Sequence, residues 1–159
     1  MDKLVNTKLA EKPDTSEWLC WQFTPEHVND YWYLVQPFIV RWLKAGNSPD
    51  MEEADVFTQA AHGLIQIFVF HTNDTPKLVM LTEFRVYPQG KWLNFLGIVG
   101  ETPIKALKYC QSIEHWAREN GAVGLESLAD NRKIGALMRK CWKLHEVGVK
   151  FRRRFDTLH

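Results

Sequence analysis

Between Lys91 and Trp142 the apolar pattern switches repeatedly between strand and helix periods, and this restricts the topologies open to the chain. Trp92 to Val99 alternates as a strand, with Gly97 and Gly100 near its far end, and Thr102-Pro103 opens a helix. Val123 to Leu128 reads as a second strand, and Asp130-Asn131 begins a second helix. The first helix, Pro103 to Asn120, carries Ile104, Leu107, Cys110, Ile113 and Ala117 as one apolar stripe and stops at Asn120-Gly121. Strand, helix and strand in this order predict a right-handed parallel crossover. A strand that runs through a Gly-containing turn into a helix N-terminus also gathers unpaired backbone N–H groups at the positive end of the helix dipole. That arrangement suits an anion.

Upstream, residues 1 to 16 are a charged lead-in, and Trp18 to Phe23 predicts a first strand. Thr24-Pro25-Glu26 starts a helix, and Val28, Tyr31, Trp32, Val35, Phe38, Ile39 and Trp42 follow at three- and four-residue spacing. Pro37 predicts a kink or two consecutive helices. Ser48-Pro49-Asp50 opens another helix that runs to about Gly63. Ile65 to Phe70, Leu78 to Tyr87 and Trp92 to Val99, joined by short turns, predict an antiparallel meander. Val147 to Phe155 predicts a last strand. The whole gives an α+β domain over residues 17 to 159: a mixed, mostly antiparallel sheet flanked by helices.

At 159 residues the chain suits one hydrophobic core. Its net charge of +1 gives no basis for wholesale attraction to nucleic acid or a membrane surface. No apolar run approaches the ~20 residues needed to cross a bilayer. Cys20, Cys110 and Cys141 lack metal-ligand spacing, and buried, reduced thiols in a cytoplasmic chain are expected. No metal cluster, Ser/His/Asp order or Walker-type loop is present in the sequence. Tyr31, Trp32 and Tyr33 are consecutive, so one helix face cannot bury all three, and some are expected at a cleft or a partner surface.

Over residues 17 to 156 this layout resembles the GNAT fold of acyl-CoA-dependent N-acetyltransferases. Within residues 52 to 155, HGLIQIFVF, LTEFRVYPQGKWLNFLGIVG and IEHWARENGAVGLE are similar to segments of small GNAT-like proteins of tailed phages and prophages. The resemblance implies acetyl-CoA as cofactor, held by Gly97, Ile98, Val99, Gly100 and Thr102, with Asn131 beside its pantetheine arm. It implies no metal, and an amine-bearing small molecule or protein as acceptor. The chain departs from the family pattern at three points. It lacks the basic residue before the Gly pair, Glu101 and Pro103 enter the turn, and Met138 stands where a Tyr commonly protonates the leaving thiolate. These departures favour an alternative, a non-catalytic morphogenesis or virion-associated protein that binds phage or host proteins.

A general base is needed for amine attack. Glu83, a carboxylate on a strand of Val, Leu, Phe and Met, is the leading catalytic candidate, against a pairing with Arg85 or a neighbouring Lys. Glu126 is the second, by the same logic. His115 lies off the apolar stripe of its helix, where a surface position is expected. Lys150, Arg152, Arg153 and Arg154 form the basic run, expected on an edge strand that resists edge pairing.

Overall fold

The computed structural model describes residues 17–45, 50–101, 108–127 and 132–148. A five-stranded sheet runs in the order β1-β2-β3-β4-β5. Its strands are β1 (Leu19–Phe23), β2 (Ile65–Thr72), β3 (Thr75–Tyr87), β4 (Gly90–Gly100) and β5 (Ala122–Ser127). β1 to β4 pair antiparallel and β5 joins β4 in parallel. Helix α1 (Val28–Lys44) follows a 3₁₀ turn at Pro25–His27, and α2 (Glu53–Ala61) follows α1. Helix α3 (Cys110–Glu119) connects β4 to β5, and α4 (Arg132–Trp142) follows β5.

Side-chain alternation along the strands divides the core into two layers. Ile65, Ile67, Val69, Val79 and Leu81 face α1 and α2, where Val28, Val35, Ile39, Trp42 and Val56 meet them. Phe68, Phe70, Leu78, Met80, Leu93 and Phe95 face α3 and α4, against Ile113, Ala117, Met138 and Trp142. The mixed sheet with helices on both faces and the parallel β4–α3–β5 connection are as the sequence pattern predicts. Pro37 does not split its helix: α1 continues through it as one element. Of the consecutive aromatics, Trp32 is partly buried against the layer under α1 and α2, while Tyr31 and Tyr33 are 42% and 65% exposed.

Cys110 and Cys141 are joined as a disulfide, with Cα atoms 5.7 Å apart and a separation of 31 positions in sequence. The expectation of reduced thiols throughout is not met. Packing of α3 on α4, anchored by the Trp142 indole donating to the Cys110 carbonyl at 3.0 Å, brings this pair together. Cys20 is free, and burial pushes its thiol up to about 11. His115 lies on the surface beside Glu119. Among the described residues no helix is long and apolar enough to cross a membrane. Residues 143–148 form no strand, and the basic run from Lys150 to Arg154 lies outside the described residues, as do Thr102, Pro103 and Asn131.

Candidate functional site

The site is built by one extra residue. Leu81 pairs with Gly97 and Thr82 with Phe95, so Leu96 is a bulge in β4. On the other side, the pairing of β4 with β5 ends at Phe95 and Ser127, where the Ser127 hydroxyl donates to the Phe95 carbonyl at 3.3 Å. Beyond Phe95, β4 is paired only to β3 among the described residues.

The direction of the backbone groups along this open edge is set by strand alternation. The Glu101 N–H donates to the Lys77 carbonyl at 2.9 Å, so Glu101, Val99 and Gly97 direct their polar groups to β3. Ile98 and Gly100 therefore turn theirs to the open edge. Without the bulge this parity would reverse, because the Phe95 carbonyl already faces β5.

Gly97 and Gly100 are required here for close approach. A Cβ on Gly97 would stand 2.4 Å from the Trp42 indole nitrogen. That nitrogen is buried and has no hydrogen-bond partner among the described residues. Gly100 has φ +132°, and its missing side chain admits the Lys77 carbonyl. Glu101 is not an unpaired negative charge at the turn, since Lys77 Nζ lies 3.5 Å from its carboxylate.

The two carboxylate candidates lie on one row across the sheet. Glu83 is the register partner of Asn94, and Asn94 of Glu126. The backbones of Glu83 and Glu126 are therefore about 10 Å apart, two strand spacings. Both side chains share the face that α1 and α2 cover farther along, next to the row that ends at the bulge.

Their surroundings differ. Glu83 accepts from Arg85 Nε at 2.8 Å and from the buried Asn94 amide at 3.1 Å on the same oxygen. The pairing with Arg85 weighed from the sequence is thus realised. Burial alone would lower the Arg85 pKa, but hydrogen bonds and charge from Glu83 and Tyr87 outweigh it and hold the guanidinium above its ordinary value. Among the described residues, Glu126 accepts one neutral hydrogen bond, from the Tyr87 hydroxyl at 2.8 Å. Tyr87 and Trp92, which sequence reasoning did not select, also belong to this face. The six-membered ring of Trp92 fills the space where a Gly124 side chain would stand, 2.4 Å from the position of a Cβ. Trp92 belongs to neither apolar core cluster. No group of His, Cys, Asp and Glu suited to a metal is present among the described residues.

A mixed, mostly antiparallel sheet flanked by helices is consistent with the fold of GNAT N-acetyltransferases, and solved acetyltransferase structures share it. An aminoglycoside acetyltransferase from an uncultured soil metagenomic sample, in complex with sisomicin, matches with a TM-score of 0.66 at 10% identity, over 87% of this chain and 97% of its own. A predicted acetyltransferase from Clostridium acetobutylicum, with acetyl-CoA, matches with a TM-score of 0.62 at 12% identity, over 86% of this chain and 96% of its own. Aminoglycoside N-acetyltransferase AAC(6')-Iy, in complex with a bisubstrate analog, matches with a TM-score of 0.57 at 13% identity, over 87% and 99%. No family model matches the sequence. No curated protein matches it either.

Proposed function

We propose that the protein is an acyl-CoA-dependent N-acetyltransferase in which the open edge of β4 holds the acyl thioester and Glu126 is the general base. The observation that carries this reading is the bulge at Leu96, which turns the Ile98 and Gly100 amides into the gap where β5 leaves β4. Free main-chain donors at a strand edge suit the carbonyl oxygens of a thioester and a pantetheine arm. Gly97 and Val99 contribute by keeping β4 attached to β3 rather than by donating. Thr102 and Asn131 remain the candidates for the phosphates and the far side of the arm.

Acetyl-CoA would supply an electrophilic thioester carbon. With it bound, an acceptor amine would attack that carbon, the C–S bond breaking as the C–N bond forms. Glu126 takes the proton from nitrogen, its one neutral hydrogen bond leaving a second carboxylate oxygen for the task. Glu83, with Arg85 and Asn94 on it, serves as the counter-ion that fixes the row. Water protonates the thiolate, because Met138 is 3% exposed, sits in the core and carries no proton to give.

That buried Met138 is also what favours the second reading, a virion-associated or morphogenesis protein that keeps the fold and binds phage or host proteins. Thermal unfolding with acetyl-CoA separates the two. At about 100 times its dissociation constant, a ligand stabilises by ~2.7 kcal/mol, a rise in melting temperature of about 5–10 °C for a chain of this size. Such a rise supports the transferase. No rise at millimolar acetyl-CoA removes the cofactor site and leaves the protein-binding reading.

A further inference from the structure

We infer that Tyr87, Trp92 and Glu126 form the acceptor subsite, and that it selects amines with an apolar flank and no neighbouring carboxylate. The inference rests on the transferase reading and adds to it the class of acceptor. Charge is its first support. The Glu83, Arg85 and Glu126 group carries a net charge of −1 when all three are ionised. Its single cation is already engaged by Glu83. An α-carboxylate placed here meets Glu126 as a like charge, beside a guanidinium already paired with Glu83. An amine meets a carboxylate held by one hydrogen bond.

Shape is the second support. Trp92 leans across β5 only because position 124 is Gly, and any side chain there would displace the ring. The Tyr87 ring, 42% exposed, reaches over from β3 to donate to Glu126. A carboxylate bonded to a Tyr, with a Trp ring lying over the same strand two residues before it, suits an ammonium group that carries methylenes or a ring. Position is the third. Glu126 stands one residue before Ser127, where β5 parts from β4, so an amine held by Glu126 lies beside the gap.

Matched pairs test this on the intact chain: tyramine against tyrosine, and cadaverine against lysine. Thiol release from acetyl-CoA measures turnover, and saturation-transfer NMR measures binding. The decarboxylated member of each pair should be acetylated with kcat/KM higher by at least about tenfold. Trp92→Ala should raise KM for tyramine about tenfold and leave acetyl-CoA affinity unchanged, with Trp92→Phe restoring most of the loss. Equal use of both members of a pair, or an unchanged KM in Trp92→Ala, overturns the subsite. Acetyl-CoA binding with no amine bound overturns it too. Amine binding with the predicted preference but no acetyl-CoA binding refutes the transferase and leaves the amine subsite standing; binding of neither refutes both.

Discussion

Glu126→Gln should lower kcat by about 10²- to 10⁴-fold, the range lost when a positioned general base is removed, while acetyl-CoA affinity and melting temperature stay near wild type. Gln keeps the shape and still accepts the Tyr87 hydrogen bond, so the change isolates the proton-accepting oxygen. Glu83→Gln should behave differently. Gln there can still accept from Arg85 but no longer balances its charge, so a modest loss should fall on folding stability more than on turnover. Steady-state thiol release, measured for both variants beside their unfolding curves, distinguishes the two carboxylates. If Glu83→Gln loses turnover at unchanged stability and Glu126→Gln keeps it, the assignment of roles is reversed.

Gly97→Val should destabilise the fold by about 3–5 kcal/mol, the cost of losing a large buried aromatic from its place. The new Cβ meets Trp42 at Nε1, Cδ1 and Cε2, at 2.4, 2.8 and 2.9 Å. Either Trp42 leaves a cluster in which it is 1% exposed, or β4 moves off β3 and the bulge is lost with it. Urea unfolding reads the change, and Gly121→Ala provides the contrast. Gly121 has φ +86° and no atom within 4 Å of its Cβ position, so only backbone strain of about 1–2 kcal/mol is at stake. Equal losses in the two variants would mean that Trp42 does not require the glycine.

Much of the architecture was legible because period and punctuation agreed. IQIFVF, LVMLTEFRVY and the Trp92 strand read as a meander from alternation and their turn residues, and each strand of the structure extends that reading by a few residues at most. The helix after β4 was legible as a helix, though the described part begins only at Cys110. Of the two outcomes open at Pro37, division into two helices does not occur, because Val35 and Ile39 are buried on either side of it in one helix. The candidate residues came from the sequence, and the structure adds how their backbones and neighbours are arranged. Gly97, Ile98, Val99 and Gly100 were read as one anion loop, but a single bulge at Leu96 alternates their amides between two directions, and no local pattern announces a bulge there. Glu83 outranked Glu126 in sequence because its strand is more apolar. The reverse order that we propose rests on Arg85 two residues along its own strand and on Tyr87 reaching from β3 to β5, 39 positions away in sequence. Cys110 and Cys141 meet only because α3 lies on α4. A chemically sensible pair at that spacing carries no sequence signature.

The most direct test is the amide NMR spectrum of the protein as acetyl-CoA is added. A thioester seated on the free margin of the fourth strand should give saturable shifts of the Ile98 and Gly100 N–H resonances, with Val99 and Glu101 little changed. Cofactor binding that leaves the Ile98 and Gly100 signals unmoved, or no perturbation of any amide at millimolar concentration, would contradict it.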